Sequence, residues 1–566
     1  MVPRGKGRGP AARQSLNLLA FFVLVLSGLA HAASMAAPWN GEPLWWLQLA
    51  AMLLLVRQLL WARSARQAAL VAWLFATSWL CGTFWWLYIS MHVYGGLNPV
   101  ITVLAVFGLA AALALYYALA AYLFALWGPA IGNWAAIYFA ALWMLAEMAR
   151  GILFTGFGWG AAGYAHHELL GSLAKYVGAY GLAALAAYMA AQLALTFTPA
   201  RLASEPASAT GVGLGAGATR ILGRFLPQRN RLKELTGVAL IVVMALVADR
   251  QYSQPGQTMD VALLQGNIKQ SEKFEPTQGI ADALQWYRAT SSAQIANGGA
   301  NAPRLVVLPE TAIPILPQQL PGDYWPALID PFVKSKHALM AGLPLGSYND
   351  GYTNSVVAIQ TGAGLAVQQA SYTYSKHHLV PFGEFIPPLF KWFTQLMNIP
   401  LGDFNRGAVA QPSFVWQGQR LAPNICYEDL FGEELGARFA DPATAPTVFV
   451  NISNIGWFGN TVAIDQHRNI SRMRALEFER PFVRATNTGD TVVIDYQGHV
   501  THALPRHIRG VLNAQVQGRG GDANSDGITP YARWVARWWL WPLMLGALAI
   551  VALAGFRNRR AGSRLV

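Results

Sequence analysis

The segment LAPNICYED, residues 421–429, places a cysteine where a strand pattern gives way to a helix pattern. Leu421–Ile425 is a short, mainly apolar run of the kind that forms a buried strand. The residues after it, Asp429–Phe439, have the spacing of an amphipathic helix. Cys426 is therefore expected at the positive end of that helix, where the helix dipole favours a thiolate.

Two carboxylates beside this cysteine oppose the dipole, because negative charge at Glu428 and Asp429 raises the pKa of a nearby thiol. A nucleophilic Cys426 would therefore need a base to take its proton and a cation to offset these charges. The alternative is a buried structural thiol, which is the commoner role of a free cysteine. Cys81, the only other cysteine, lies in a distant apolar run, so we expect no disulfide between them.

The region around this segment alternates between strand-like and helix-like patterns, from Met259 to about Val516. The strand candidates are Asp260–Leu264, Leu305–Leu308, Ala338–Ala341, Ser355–Gln360, Ala422–Cys426, Thr447–Ile452 and Thr491–Asp495. The helix candidates are Ile280–Ala296, Asp429–Phe439 and Ile464–Arg480. Such alternation predicts one α/β domain, to which we assign residues 257–516.

Composition predicts that the rest of the chain lies in a membrane. Of its 566 residues, 54% are hydrophobic and 12% are charged, whereas a soluble globular protein carries about 25% charged residues. The net charge of +13 would suggest nucleic acid as a partner of a soluble protein. Here the basic residues lie at the N-terminus, in short loops and in the C-terminal tail, as topology signals do. We therefore expect no nucleic-acid partner.

Apolar runs predict a bundle of eight transmembrane α-helices, since a helix that crosses a bilayer core needs about 20 apolar residues. The runs are Leu16–Ala36, Leu44–Val56, Gln67–Met91, Pro99–Ala146, Tyr176–Ala200, Leu235–Ala248 and Trp538–Phe556. Pro99–Ala146 is long enough for two helices, and Gly128-Pro129 and Gly132-Asn133 supply the break. The run at Leu44 can extend to Trp61. Helices 1–7 thus occupy residues 1–250, and helix 8 occupies residues 534–556.

The positions of Lys and Arg orient these helices, because both accumulate on the cytoplasmic side. Basic clusters lie within residues 4–13, 57–66 and 201–233 and in the tail, 557–566. They place both termini inside the cell, so the α/β domain falls outside the cytoplasm. The first run could instead be a signal peptide, but the spans that follow at once favour a retained helix. The Gly- and Ala-rich residues 203–219 predict a flexible cytoplasmic insert, to which no role is assigned.

Two further residues could complete a site with the cysteine. Glu310 follows the strand candidate Leu305–Leu308, and sites of α/β domains are built at strand ends; an exposed structural carboxylate is the alternative. Lys376 could be a solvated surface charge, or it could stabilise a developing oxyanion. The adjacent His377 and His378 do not predict a metal site, because neighbouring histidines rarely converge on one ion and no further ligand pattern is present.

Three ordered motifs carry a resemblance to a known family. VLPE (307–310), YSKHHLVPFGE (374–384) and NICYE (424–428) resemble the nitrilase superfamily, whose members use a Glu–Lys–Cys triad in an α-β-β-α sandwich. The second motif is similar to the apolipoprotein N-acyltransferase family in particular, which also has seven spans before the domain and one after it. The resemblance therefore covers nearly the whole chain.

The resemblance implies a role for each matched residue. Cys426 would be the nucleophile, Glu310 the general base, and Lys376 the group that stabilises the tetrahedral intermediate. Glu384 and Glu428 match carboxylates that support the triad.

The resemblance also extends to two aromatic positions. Tyr427 matches an aromatic residue beside the cysteine. The family often has Trp shortly after the segment Gln265–Asn267, where this chain has Phe274, and we expect the aromatic contact to survive this departure.

Two aromatic segments are candidates for substrate contact. One contains Phe385, Trp392 and Phe393, and the other contains Trp457 and Phe458 between glycines. Because aromatic residues favour the membrane interface, we hypothesise that both segments dip into the headgroup layer and gate the entry of acyl chains. The alternative is that they pack into the domain core.

The family's reaction transfers an acyl chain in two halves through a thioester, which predicts ping-pong kinetics. The implied partners are a membrane phospholipid as donor, a diacylglyceryl apolipoprotein as acceptor and the lipid bilayer; no cofactor is expected. We expect a monomer in the cell inner membrane with a periplasmic catalytic domain. A membrane-tethered nitrilase-type amidase is the alternative. A transporter or channel is less favoured, because transporters usually carry charged residues within their spans. The apolar runs here contain almost none, and Glu147 and Lys175 lie near span ends.

Overall fold

The computed structural model describes residues 18–128, 133–197, 235–275, 278–297, 303–386 and 403–562. Helices from both ends of the chain form one bundle, and the segment between them forms an α/β domain that packs on the bundle. The helices before the domain are α1 (Leu18–Met35), α2 (Trp45–Leu60), α3 (Ala65–Phe84), α4 (Pro99–Trp127), α5 (Asn133–Ile152), α6 (Ala174–Phe197) and α7 (Thr236–Val247).

Within the described residues each predicted apolar run contains a helix, but fewer than eight of these helices have the length of a clear span. Five described helices, α1 and α3 to α6, are long and apolar enough to cross a membrane. A sixth candidate is the pair formed by α12 (Pro530–Trp538) and α13 (Trp541–Gly562), which is bent by 84°. With 16 and 12 residues, α2 and α7 are shorter than the about 20 residues that a bilayer core requires. The apolar helices therefore lie where the sequence predicted them, but the single helix expected over residues 534–556 is bent sharply between α12 and α13, and the count of eight spans exceeds what helix length supports.

In the part of the α/β domain that the structure describes, the strands form two six-stranded sheets. The first has the order β12-β1-β2-β3-β4-β5 and the second the order β11-β10-β9-β8-β7-β6. The strands are β1 (Gln254–Gln265), β2 (Arg304–Val307), β3 (Ala338–Ser347), β4 (Gly351–Ile359), β5 (Tyr372–Ser375), β6 (Phe414–Trp416), β7 (Gln419–Ile425), β8 (Val448–Ser453), β9 (Phe482–Thr486), β10 (Thr491–Ile494), β11 (Val500–Leu504) and β12 (Gly510–Gly520). The pairs β1–β2, β2–β3, β7–β8 and β8–β9 are parallel.

Alternation of side chains explains why the sheets stack as a sandwich. Leu305 and Val307 of β2 point into the core between the two sheets, while Val306 points into the core under the outer helices. A strand that is buried on both faces reads as a continuous apolar run rather than an alternating one. Helices α8 (Gly279–Asn297) and α9 (Tyr324–Val333) cover the first sheet.

The outer face of the second sheet packs against α11 (Ala463–Phe478) and α12, and through them against the bundle. Ala179, just after a kink at Gly178 in α6, donates its backbone N–H to Glu477 of α11 at 2.7 Å. Lys175 of α6 forms an ion pair with Glu479 at 3.2 Å. The order of layers is therefore helix, sheet, sheet, helix, which confirms the predicted α-β-β-α sandwich.

The single helix predicted over Asp429–Phe439 is wrong. Cys426–Leu430 is a 3-10 turn, α10 (Gly432–Gly436) has five residues, and a second 3-10 turn follows. Phe431 interrupts the helix with φ −99° and ψ 81°. Because this short and broken helix has little net dipole, charged side chains and not a helix terminus must set the state of the nearby thiol.

Candidate active site

Cys426 lies at the carboxyl end of β7 in a strained backbone conformation. Its φ is +55°, a left-handed value that costs a residue with a side chain about 1 kcal/mol or more. The backbone carbonyl of Cys426 accepts hydrogen bonds from Asn451 Nδ2 at 2.8 Å and His467 Nε2 at 3.2 Å. The turn therefore has external partners that hold this conformation.

Glu310 reaches the same region from the other sheet, just after β2. Its side chain is buried, and its two oxygens have separate partners. Oε1 accepts from Asn354 Nδ2 at 2.7 Å and from Lys376 Nζ at 3.3 Å. Oε2 accepts from the backbone N–H of Asn454, which follows β8, at 2.8 Å. The carboxylate thus spans the gap between the two sheets.

Lys376 follows β5 and is fully buried. Its ammonium lies 2.9 Å from Glu384 Oε1 and 3.3 Å from Glu310 Oε1. Asn354 Nδ2 also lies 2.7 Å from Oε1 of each carboxylate. Glu384 Oε2 accepts the backbone N–H of Val380 at 2.8 Å, so the carboxylate fixes the loop that carries it. Two carboxylates around one lysine make the ammonium permanently charged.

The charges of these groups set the protonation states of the site. Burial alone would raise the pKa of Glu310, but Lys376 and Asn354 hold it below its usual value. Burial lowers the pKa of Lys376, yet Glu384 and Glu310 raise it well above the usual value. Burial and the charge of Glu310 raise the pKa of the Cys426 thiol to about 12, against the opposite effect of Lys376. At neutral pH the site therefore contains a protonated thiol, a carboxylate and an ammonium, so a nucleophilic attack by Cys426 would need a base to take the thiol proton.

Glu428 supports the site through the backbone and not through the thiol. Its carboxylate accepts the N–H groups of Ile425 at 2.7 Å, His377 at 2.7 Å and His378 at 3.1 Å. Tyr374 donates its hydroxyl to the same carboxylate at 2.8 Å. Glu428 therefore ties the strand end before Cys426 to the loop after Lys376.

The two neighbours of Glu428 also have partners of their own. Asp429 accepts from Arg484 at 3.0 Å and from His467 at 3.0 Å. Tyr427 donates its hydroxyl to the carbonyl of Leu379 at 2.6 Å, and Lys376 lies 5.7 Å from the centre of its ring.

Comparison with known proteins covers both halves of the molecule. Residues 18–192 match the apolipoprotein N-acyltransferase N-terminal domain, and residues 260–523 match the carbon-nitrogen hydrolase domain. The apolipoprotein N-acyltransferase of Verminephrobacter eiseniae is 53% identical over 91% of this chain and 92% of its own length. That of Bordetella bronchiseptica is 39% identical over 99% of this chain and 100% of its own.

The chain belongs to the apolipoprotein N-acyltransferase family. The resemblance carried by the three sequence motifs is thereby confirmed over most of the chain. Among solved structures, a CN-hydrolase superfamily protein from Xanthomonas campestris with an arsenic adduct in its active site is 18% identical, covers 51% of this chain and 97% of that one, and gives a TM-score of 0.34.

The family motifs do not include Lys273, which sequence reasoning missed. Its buried ammonium lies 3.0 Å from the backbone carbonyl of Glu310, and Glu310 and Cys426 are the charges that act on it. Burial lowers the pKa of Lys273 to about 7. The one sequence feature that could have indicated Lys273 is its position directly before Phe274, the half-buried residue predicted to make an aromatic contact.

Asn354 and Asn454 were missed as well, although both bond the carboxylate of Glu310. Asn354 is on β4 and Asn454 directly follows β8. Neither asparagine belongs to one of the three motifs. Asn354 donates a side-chain amide from the middle of a strand, and Asn454 donates only its backbone N–H, which any residue other than proline could supply.

The aromatic residues predicted to contact the substrate lie in different surroundings. Trp457 lies edge-on to Tyr94 with ring centres 5.8 Å apart, and Phe458 packs on Trp86 at 4.3 Å. Both therefore face the bundle and not the core of the α/β domain. Phe385 lies under the guanidinium of Arg406 at 5.0 Å. The other two predicted residues of that segment, Trp392 and Phe393, lie outside the described residues.

Metal ligands do not converge in the part of the chain that the structure describes. Within it, no three His, Cys, Asp or Glu side chains form a group that could hold an ion. His378 Nδ1 contacts Glu434 at 2.8 Å and its Nε2 contacts the carbonyl of Thr155 at 2.7 Å. The prediction of a metal-independent site stays a prediction.

Proposed function

We propose that this chain transfers an acyl chain from a membrane phospholipid to the α-amine of the N-terminal diacylglyceryl-cysteine of apolipoproteins. The observation that carries the proposal is the joint position of Glu310 and Lys376, 3.3 Å apart, as charges that act on the Cys426 thiol. The names of its family relatives, apolipoprotein N-acyltransferase, support lipoprotein acylation over other acyl transfers.

In the first half of the reaction, Glu310 takes the thiol proton of Cys426 while the sulfur attacks an ester carbonyl of the phospholipid. A C–S bond forms, and the carbonyl electron pair moves to oxygen, where Lys376 stabilises the oxyanion. Collapse breaks the C–O ester bond, and the lysophospholipid alkoxide leaves with the proton that Glu310 returns. The products are a thioester on Cys426 and a lysophospholipid.

In the second half, the α-amine of the acceptor attacks the thioester. A C–N bond forms, Glu310 removes a proton from the nitrogen, and the C–S bond breaks to release Cys426. The thiolate recovers the proton from Glu310, so the enzyme returns to its starting state. Separation of the two halves predicts ping-pong kinetics.

The proposal includes a membrane arrangement with eight spans. Helices stand at all eight predicted positions, and the two short ones could be completed by flanking residues, such as Trp61 after α2. Residues 1–250 would carry spans 1–7 and residues 534–556 span 8, with the catalytic domain of about residues 257–516 in the periplasm. Basic clusters support cytoplasmic termini, including the tail at 557–566. We further propose that the enzyme acts as a monomer.

We also propose that the aromatic segments admit the acyl chains. The contacts of Trp457 with Tyr94 and of Phe458 with Trp86 support a position between the catalytic domain and the bundle. An apolar cover at this level would also keep water away from the thioester while the amine binds.

Intact mass spectrometry of the purified chain with phospholipid alone tests the first half-reaction. The expected result is an added acyl mass that hydroxylamine releases and that Cys426→Ala lacks. Addition of a diacylglyceryl-cysteine peptide should then discharge the adduct and give the N-acyl peptide. Absence of an adduct on the unmodified chain would overturn the proposal. Release of free fatty acid with no N-acyl peptide would support the alternative of a hydrolase.

A further inference from the structure

The membrane bundle and the backbone of Cys426 are connected by a short series of hydrogen bonds. Gln466 and His467 are neighbours on α11 and point to opposite partners. The Gln466 side-chain oxygen accepts the indole N–H of Trp86 at 3.0 Å and of Trp159 at 2.9 Å. His467 contacts the carbonyl of Cys426 at 3.2 Å. The four side chains in this series are all buried, namely those of Trp86, Trp159, Gln466 and His467.

The tautomer of His467 follows from its partners. Its Nε2 lies near two acceptors, the carbonyl of Cys426 and Asp429 Oδ1, at 3.2 and 3.0 Å. Neither atom can donate, so Nε2 carries the proton and donates to both. Arg484 and Ser471 donate to the other oxygen of Asp429, so the carboxylate is fixed from the opposite side. His467 is therefore held as a donor aimed at the nucleophile's own carbonyl.

The tryptophans that hold Gln466 are themselves anchored in the bundle. Arg150 of α5 donates to the backbone carbonyls of Trp159 at 2.7 Å and Phe157 at 2.6 Å, and to the hydroxyl of Tyr117 in α4 at 3.0 Å. The rings of Trp86 and Trp159 pack on each other at 5.2 Å. The acceptor on α11 thus meets a rigid surface built from three bundle segments.

We propose that the membrane bundle sets the conformation of the nucleophile, with Gln466 and His467 as positioning residues. This inference rests on the proposed function of Cys426. A cysteine at φ +55° relaxes towards an ordinary conformation unless its carbonyl is held. Trp86 and Trp159 fix α11 through Gln466, α11 presents His467, and His467 together with Asn451 holds the Cys426 carbonyl. The backbone conformation of Cys426 in turn sets the direction in which its side chain leaves β7.

The test uses the full chain in lipid nanodiscs with Cys81→Ala, so that Cys426 is the sole thiol. Gln466→Leu removes the oxygen that accepts both indole N–H groups, whereas Gln466→Glu keeps a side-chain oxygen that can accept them. Gln517→Leu is the matched control, because it makes the same change at an exposed glutamine of β12, whose side chain donates to the carbonyl of Gly256. Two rates are measured, namely formation of the acyl-enzyme and alkylation of Cys426 by iodoacetamide across pH.

We expect Gln466→Leu to lower the rate constant of acyl-enzyme formation by about 10- to 100-fold, as small misplacements of reacting groups do, with KM unchanged. The pH dependence of Cys426 alkylation should also differ between this variant and the chain with Gln466 intact. Gln466→Glu should recover most of both rates, and Gln517→Leu should keep them. Equal losses in Gln466→Leu and either of the other two variants, or no loss in Gln466→Leu, would overturn the proposal.

If Gln466→Leu fails to fold, the pair Trp86→Phe and Trp159→Phe removes the same hydrogen bonds while it keeps aromatic rings in place. The expected losses are the same, and unchanged rates in this pair would overturn the proposal. Because alkylation needs no substrate, it tests the positioning of Cys426 separately from the proposed acyl-transfer function. A wild-type chain without any acyl adduct would count against the proposed function, whereas the alkylation rates still decide the inference about position.

Discussion

Lys376 lies closer to Glu384 than to the proposed base Glu310, with Nζ–Oε1 distances of 2.9 and 3.3 Å. The ammonium therefore does not neutralise Glu310 completely. A base must keep enough affinity for a proton to accept one from a thiol whose pKa is about 12. Glu384 competes for the lysine and leaves Glu310 more basic than a simple ion pair would.

Glu384→Gln tests this competition. Lys376 would turn to Glu310 alone and lower its basicity, so we expect acyl-enzyme formation to slow by about 10- to 100-fold with little change in KM. Stopped-flow or quenched mass spectrometry of the first turnover measures this rate. Glu272→Gln, which alters an exposed partner of Lys269, is the control. A first-turnover rate equal to that of the control would show that Glu384 has no such influence.

Glu310→Gln should change the shape of the pH profile as well as the rate. The pKa of Glu310 is held low, so the wild-type rate should stay level from pH 8 down to about pH 5 and fall only as the carboxylate takes up a proton. Without the carboxylate, the rate should drop by about 100- to 10,000-fold at pH 7. It should then rise with pH, as hydroxide ionises the thiol. A level profile in the variant would exclude Glu310 as the base.

Lys376→Met should destabilise the fold in a pH-dependent way. The substitution leaves Glu310 and Glu384 buried without their cation, which costs about 3–5 kcal/mol when both are ionised. Lys376 holds the pKa of Glu310 below its usual value, so in the variant this pKa rises, protonation at acid pH relieves part of the cost, and the loss of stability should be larger at pH 8 than at pH 5. Thermal unfolding in detergent measures this difference. Lys334→Met, an exposed i,i+4 partner of Asp330, should change little at either pH. An equal loss at both pH values would contradict this account.

Lys273→Met should gain stability relative to wild type as the pH is lowered from 9 to 6. Burial lowers the pKa of Lys273 to about 7, below that of the unfolded amine. The folded chain therefore binds fewer protons between these two pKa values, and the penalty for a buried charge is complete below about pH 7. Melting temperatures of the two chains across this pH range provide the measurement. A constant difference between the two would show that the amine does not titrate in this way.

Phe458→Ser and Trp457→Ser test the proposed path of the acyl chain. Both should reduce transfer from a phospholipid embedded in a bilayer by about 10-fold, while a soluble short-chain ester reacts at the normal rate. That estimate equals the loss of roughly 1–2 kcal/mol of aromatic contact. Tyr348→Ser, an exposed aromatic beyond the end of β3, serves as control. Equal losses with both donors would indicate a general structural defect instead.

The sequence predicted the strands before Glu310 and Cys426 with small errors in their ends, but it did not predict β5, the strand before Lys376. The runs before Glu310 and Cys426 are buried on both faces, so their apolar character is continuous and visible in one dimension. The helix over Asp429–Phe439 was wrong because tertiary contacts override its spacing. Arg484 and His467 hold Asp429, and Phe431 breaks the turn. Strands such as β9 and β12 were missed, since their pairing depends on distant partners.

The amino-acid sequence by itself determined the apolar helices, the α/β domain and the choice of the three residues proposed as a triad, because hydropathy and short motifs are local properties. Only the tertiary structure decided which groups surround them. Lys273 contacts Glu310 from a different segment, and Trp159 holds Gln466 across the boundary between bundle and domain. Hydrogen bonds and charges act over a few ångströms in space, whatever the separation along the chain, so no local pattern announces them.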